Sequence, residues 1–461
     1  MRIPRWLVAL AAIMALFAWS LQPVSYKFAI RQSNGTLVDA TESTAGARPV
    51  FGSSSHILPL VRVVNAVAGP FKRRLIPLDV EAMTRTAVDM IGHDDDFGDP
   101  DFGDLADWEA FARLVQVADE RCHLFGRFVM KQTFISILAT NLKIQKLLKG
   151  NPEIEREVID RPVILAAFTR TGATFLYQVL ADIYKDELTP TYSYEIFGGP
   201  LELSDPPQRV ENTEAVLSGL GALNPPMKLL HEWISAKEPE DEPGWYLHSL
   251  TGLVVPFQLP SEWHHARIYE PASQERNLRL WETLNKIRQW QGEAGKKQRF
   301  LLKAPEHLFG LPQLVQDHPD ASIITVSRDE KSWYPSSLVM TQLSQYMYVD
   351  AQVEDTIAFT DRLLCGQRRS LEVAHNGSYD LLPVRFGSYL FEQTFEVVER
   401  IANHANLTWD QDTQARANDV ITKRLAWKNK AYYKIDEFGL SRGAAISERL
   451  KTVCDHLPEP N

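Results

Sequence analysis

The polarity pattern along the 461 residues divides the chain into unlike parts. The first is an apolar run from Trp6 to Leu21, preceded by Arg2 and Arg5 and followed by Lys27 and Arg31. A basic start followed by a hydrophobic stretch has the form of a signal-anchor or a signal peptide. Residues 1–25 are assigned to it. Membrane attachment through this segment, with the rest in the secretory lumen of a eukaryotic cell, or secretion, is the expectation. Residues 26–75 scatter Ser, Thr, Gly and Pro among short apolar runs and are read as linker and surface wrapping. Residues 76–150 are read as a helical extension. It opens with one short helix over 75–91 and an acidic, Gly/Pro-punctuated loop at 93–104 that lacks the EF-hand spacing of a calcium site. From Trp108 to Lys149 the positions Leu124, Phe128, Ile135, Leu138, Leu142 and Leu148 recur at three- and four-residue steps, which predicts a helix. Gly150, Asn151 and Pro152 stop it.

Residues 151–455 alternate strand-like and helical patterns. Pro162 to Phe168 is a short apolar run suited to a strand buried on both faces, and Thr174 to Leu180 reads as the helix after it. Phe300 to Lys303 and Ser322 to Val326 predict two further strands. Strands that end in polar loops and alternate with helices predict an α/β fold: a P-loop-like parallel sheet flanked by helices, with its site at the carboxyl edge.

The chemistry collects at those strand ends. The loop Phe168-Thr169-Arg170-Thr171-Gly172-Ala173-Thr174-Phe175 opens a helix, so its N–H groups and the helix dipole favour an anion. Gly172 permits close backbone approach, Thr171 and Thr174 offer hydroxyls, and Arg170 adds a bidentate cation. The loop lacks the G-x-x-x-x-G-K-[ST] pattern of ordinary kinases and NTPases. Past the second strand come Lys303, Glu306 and His307, a cation for a transferring group and candidates for a general base. Past the third, Arg328 and Ser336 lie eight residues apart and can meet on one phosphate.

Composition narrows the partners. The formal net charge is −10, which disfavours nucleic acid. The three cysteines, Cys122, Cys365 and Cys454, form no zinc-binding pattern, and no metal ligand set is assigned. They are read as isolated buried thiols, or as one bridge if the compartment is oxidising.

Taken in order, these motifs resemble the nucleotide-dependent sulfotransferases, in the branch with P-R-T-G-T-T and K-[SA]-P-x-H loops. Asp95 to Pro100 resembles that branch's D-D-F-G-D-P stretch, and Tyr433 to Leu440 its Y-S-x-E-D-F-G-L signature. The resemblance implies sulfuryl transfer from 3′-phosphoadenosine 5′-phosphosulfate (PAPS) to a hydroxyl or amine of a small-molecule, carbohydrate or lipid acceptor, with no metal required. It places the 5′-phosphosulfate on Arg170, Thr171, Gly172, Ala173, Thr174 and Phe175, and the 3′-phosphate on Arg328 and Ser336. It makes His307 the base, with Lys303 and Arg170 stabilising the transferring group. A carboxylate in the His231-Glu232…Glu238-Pro239-Glu240-Asp241-Glu242 stretch, Glu240 or Glu242, is the other candidate base. Thr169 and Ala173 depart from the family loop, and Ala173 removes one phosphate-facing hydroxyl. A weak or inactive nucleotide-binding relative and an ATP-dependent transferase are the alternatives.

Overall fold

The computed structural model describes residues 28–31, 36–40, 48–51, 59–91, 107–197, 206–230, 235–292, 299–377, 379–426, 431–440 and 453–454. The apolar run Trp6–Leu21, the acidic loop 93–104 and His231-Glu232 lie outside them. No helix among the described residues is long and apolar enough to cross a membrane.

Five strands form the central sheet: β4 (Val163–Ala167), β5 (Leu188–Pro190), β6 (Arg299–Ala304), β7 (Ser322–Ser327) and β8 (Leu381–Arg385), in the order β5-β6-β4-β7-β8. Every pairing is parallel. The three strands expected from the apolar runs are β4, β6 and β7. Period two explains the layers: Ile164, Ala166 and Phe168 enter one buried cluster with Leu302 and Ala304. Val163, Leu165 and Ala167 enter another with the helix Ala173–Ile183. Both faces are covered by helices, so the strands need no polar side. The chain leaves β4 toward β6 and β5, then returns to its other side with β7. The carboxyl end of β4 is therefore the topological switch point, where such sheets hold ligands. Register pairs Ala166 with Ala304 and Ala167 with Val326, so the loops after β4, β6 and β7 open at one edge.

The N-terminal part differs from its sequence reading. The stretch 26–75 contains β1 (Phe28–Arg31), β2 (Leu37–Ala40), β3 (Arg48–Phe51) and the helix Pro59–Ala68. With β9 (Tyr432–Tyr433) these strands make a second sheet, β2-β1-β3-β9, in which β3 and β9 run parallel. The helix expected over 75–91 begins only at Val80, where the Asp79 carboxylate caps Ala82 N–H at 2.7 Å. The periodic stretch 108–149 is two helices, Trp108–Arg121 and Leu124–Gly150. Between them Cys122 is extended and bridges Val349, and His123 Nδ1 accepts from Gly126 N–H at 2.8 Å. A Cβ at Gly126 would lie 1.8 Å from the Tyr348 carbonyl oxygen, so only glycine allows this approach. These helices share one core with Leu250, Val255, Leu259 and Tyr348.

Cys365 and Cys454 form a disulfide with Cα atoms 5.2 Å apart, and only Cys122 remains a thiol. The bridge ties the C-terminal turn to the buried helix Val353–Asn376. It closes a loop of 89 residues; chain entropy alone would give about 4.6 kcal/mol for that length, and disulfides typically stabilise by about 2–4 kcal/mol net. Cys454→Ser is expected to lower urea stability by about that amount, and reducing agent to do the same to the unaltered chain but not to the variant. Equal midpoints for all four samples would show that the bridge contributes nothing.

Candidate active site

The loop after β4 turns sharply. Arg170 has φ 63° and Gly172 φ 81°, both in the left-handed region that costs a side chain energy and a glycine little. A Cβ at Gly172 would also sit 2.7 Å from Phe386 Cδ2 and 3.0 Å from Leu390 Cδ2. The strain at Arg170 is held by two anchors from the far side of β7. Trp333 Nε1 donates to the Thr169 carbonyl at 2.7 Å, and Arg328 Nη1 donates to the Arg170 carbonyl at 2.8 Å. In a trans peptide the C=O and N–H point oppositely. The N–H groups of Arg170 and Thr171 therefore point away from those anchors. The helix Ala173–Ile183 follows at once, and its first amides have no intrahelical acceptor.

A cavity of about 1020 Å³ opens over this loop. Thr169, Arg170, Gly172, Ala173, Thr174 and Phe175 line it from β4, Lys303 from β6 and Arg328 from β7. Thr171 does not. Its side chain is fully buried, and its hydroxyl donates to the Phe168 carbonyl at 2.7 Å, closing the turn rather than facing a ligand. Ser336 is also buried. Arg170 Nε donates to its Oγ at 3.0 Å, and Ser336 in turn donates to the Tyr433 hydroxyl at 3.2 Å. The structure thus brings Ser336 to Arg170 rather than to Arg328, whose Nε donates to Ser332 Oγ at 3.0 Å.

The arginines carry the electrostatics. Burial above all, helped by the nearby Arg170 charge, pushes Arg328 down to about 10, so it is still a cation at neutral pH. Its guanidinium stacks 4.0 Å from the Phe386 ring centroid. Other arginines are paired with carboxylates: buried Arg127 with Asp119, buried Arg288 with Glu195, and Arg424, which also lines the cavity, with Asp182 and Glu238. Among the described residues no carboxylate lies within ion-pair distance of Arg170 or Arg328. Arg48, on β3, lines the same cavity and stacks on Tyr432 at 5.3 Å.

The opposite wall is acidic. Asp241 and Glu238 line the cavity, and Asp241 Oδ2 is 2.6 Å from Lys303 Nζ. Its neighbours turn inward. Glu240 is buried, and burial together with Asp241 holds its carboxyl well above the usual range. Glu242 is fully buried and accepts from Thr191 Oγ1 at 2.7 Å and Trp281 Nε1 at 3.0 Å. His307, the sequence's first choice of base, is fully buried behind this wall. Its Nε2 lies 3.2 Å from Glu242 Oε2, and its ring packs edge-on against Trp281 and Tyr246. It does not line the cavity, because the residues after β6 turn straight into a buried helix, Glu306–Phe309. Glu240 and Glu242 are outside it for the same reason, their inward turn. Sequence reasoning missed Arg48, Asp241 and Tyr433. Tyr433 lay within the C-terminal motif and Asp241 within the acidic run, but nothing near Arg48 signals a site.

Residues 162–411 match the model of the sulfotransferase family, Sulfotransfer_3. The chain belongs to the sulfotransferase family, and its activity is transfer of a sulfuryl group. It is 26% identical over 352 residues to omega-hydroxy-beta-dihydromenaquinone-9 sulfotransferase Stf3 of Mycobacterium bovis and Mycobacterium tuberculosis. That match covers 73% of this chain and 87% of the relative. The fold is similar to the crystal structures of sulfotransferase STF1 from Mycobacterium tuberculosis (TM-score 0.62, 20% identity, 82% of this chain and 98% of that one) and STF9 from Mycobacterium avium (TM-score 0.59, 17% identity, 82% and 95%).

Beside the cavity wall, burial pushes the Glu306 carboxyl up to about 7. One oxygen accepts from Leu253 N–H at 3.0 Å, and the other has no partner. Between its ordinary value of 4.5 and about 7 the folded chain keeps a proton that the unfolded chain has lost. Stability therefore falls as pH rises through that window. Glu306→Gln is expected to flatten this fall, raising stability at pH 8 relative to pH 5 by up to about 3 kcal/mol. Urea midpoints whose pH dependence matches the unaltered chain would refute it.

Proposed function

We propose that the cavity binds PAPS and that the chain transfers its sulfuryl group to a hydroxyl or amine of a small-molecule or lipid acceptor. The observation that carries the donor assignment is the pair Arg170 and Arg328, two cations at the mouth of a helix N-terminus with no carboxylate within ion-pair distance among the described residues. Such a site is complete only with an anion. The 5′-phosphosulfate lies along the loop Arg170–Phe175, against the amides that open the helix, with Thr174 as its hydroxyl. Arg328, with Arg48 nearby, takes the 3′-phosphate, the group that distinguishes this donor from ATP. Ser336 and Tyr433 hold Arg170 in place.

The acceptor oxygen attacks sulfur in line with the bond from sulfur to the bridging phosphate oxygen. That bond breaks as the new one forms, giving a sulfate ester and adenosine 3′,5′-bisphosphate. Lys303 stabilises the charge spreading over the sulfuryl oxygens. The acceptor proton passes to Asp241, the carboxylate of the E-D-E run that faces the cavity. His307 acts through Glu242, by fixing the wall that carries Asp241. The lipid alternative for the acceptor draws on Stf3, whose name specifies a menaquinone derivative. The Cys365–Cys454 bridge and the apolar run Trp6–Leu21 support an oxidising compartment reached through an N-terminal anchor or signal peptide.

The test is ligand-dependent thermal protection. Adenosine 3′,5′-bisphosphate is expected to raise the melting temperature and ATP not; the reverse order would sink the donor assignment. Arg328→Ala should cut bisphosphate affinity by roughly ten- to a hundredfold, as expected for a lost charge-assisted contact. Asp241→Asn should keep bisphosphate binding while losing sulfuryl transfer by about 10²–10⁴-fold. If Asp241→Asn turns over normally and His307→Gln does not, the base assignment is wrong.

A further inference from the structure

We propose that the segment Pro59–Leu75 docks the protein on an anionic lipid surface. It consists of the helix Pro59–Ala68, a 3₁₀ turn Gly69–Phe71 and the short helix Lys72–Leu75, run end to end. Val63, Val67, Phe71 and Leu75 are 43%, 73%, 61% and 57% exposed. Val63 and Val67, four residues apart, share one face of the first helix, and Phe71 and Leu75 continue the run of exposed apolar side chains through the turn and the second helix. Water-facing apolar side chains in this density on one element mark an interaction face.

The ridge is held out rather than left over from loose packing. Val61 is buried on the inner side. Asn65 Oδ1 accepts from Phe125 N–H at 3.2 Å, and Lys72 Nζ donates to the Cys122 carbonyl at 2.7 Å. The helix Leu124–Gly150, on which the segment rests, adds Phe128 at 53% exposure.

Charge selects the occupant. Residues 59–78 contain Arg62, Lys72, Arg73 and Arg74 and no Asp or Glu, in a chain whose net charge is −10. Arg73 pairs with Asp119 at 2.9 Å, while Arg62 and Arg74 are also exposed. An apolar ridge flanked by arginines is the pattern of a helix lying in the plane of a bilayer, with its side chains among acyl chains and its cations at anionic headgroups. A second copy fits worse, since a two-fold contact would set these arginines against themselves. The proposal is independent of the donor assignment.

The test uses the full chain with Val67→Cys carrying an environment-sensitive fluorophore. The label reports position 67, because Cys122 is buried with its thiol pushed up to about 12 and the other two cysteines are bonded. Vesicles of phosphatidylcholine with phosphatidylglycerol should shift the emission to the blue, and vesicles of phosphatidylcholine alone much less. Arg74→Gln should weaken the apparent vesicle affinity read from that shift about fivefold. Phe71→Asp should abolish the shift while leaving the circular dichroism and sulfuryl transfer to a water-soluble acceptor unchanged. An unshifted probe on anionic vesicles overturns the proposal, even when the protein sediments with them through another segment. So does a blue shift that grows with protein concentration in the absence of vesicles, which would mean a second copy covers the ridge.

Discussion

The hydrogen bond from Arg328 Nη1 to the Arg170 carbonyl, 2.8 Å long, is the contact on which the site depends. It joins the ends of β4 and β7 at the switch point and holds a residue at φ 63° that would otherwise relax toward the right-handed region. It also puts two guanidiniums beside each other in a partly desolvated place, which like charges resist. A fold keeps such an arrangement only when other contacts over-determine it. Here they do: Trp333 fixes the preceding carbonyl, Phe386 covers the Arg328 plane, and Ser336 with Tyr433 steadies Arg170. In the proposed complex the two anionic ends of the donor relieve this repulsion, so the contact that shapes the loop would also create its affinity.

The opposite wall is built by the reverse device, a buried carboxylate satisfied by hydrogen bonds from neighbouring side chains. Glu242 takes hydrogen bonds from Thr191 and Trp281 and faces His307. Thr191 belongs in turn to the Arg288–Glu195 network. A buried ion pair of this kind adds little net stability once desolvation is counted. What it does is fix direction: with Glu240 and Glu242 turned inward, Asp241 between them is turned out to the cavity. Within Glu240-Asp241-Glu242, a stretch that looks like a solvated turn is therefore one half-buried, cavity-facing group flanked by two buried ones.

This explains which parts were legible in the sequence. The strands β4, β6 and β7 carry continuous apolar runs because both faces are buried, and the loops at their ends carry unusual polar residues, so their order and placement could be read. Residues whose role is set by contacts far apart in sequence could not. Nothing near Cys122 marks a helix break, because its cause is the Tyr348–Val349 segment more than two hundred residues away. Thr171 and Ser336 had the right residue type, but their hydroxyls are spent on Phe168, Arg170 and Tyr433. His307 had the right chemistry at the right strand, yet the turn into Glu306–Phe309 buries it. Arg48 reaches the cavity only because β3 pairs with β9, and a four-residue strand in a polar segment leaves no periodic trace.

The two walls meet at Lys303. Its ammonium is engaged by Asp241 at 2.6 Å, while Arg170 and Arg328 have no carboxylate within ion-pair distance among the described residues. In the proposed reaction an incoming sulfuryl group approaches that same ammonium and competes with Asp241 for it. To the extent that it succeeds, the Asp241 carboxylate is released to accept a hydrogen bond from an acceptor hydroxyl at the moment when a donor is present. Lys303 passes from an internal ion pair to a transferring anion, and such a shift in partner is where differential stabilisation of a transition state arises. A carboxylate set free only by the donor also limits proton removal in its absence. One short ion pair between β6 and the acidic run thereby couples the occupancy of one wall to the chemistry of the other.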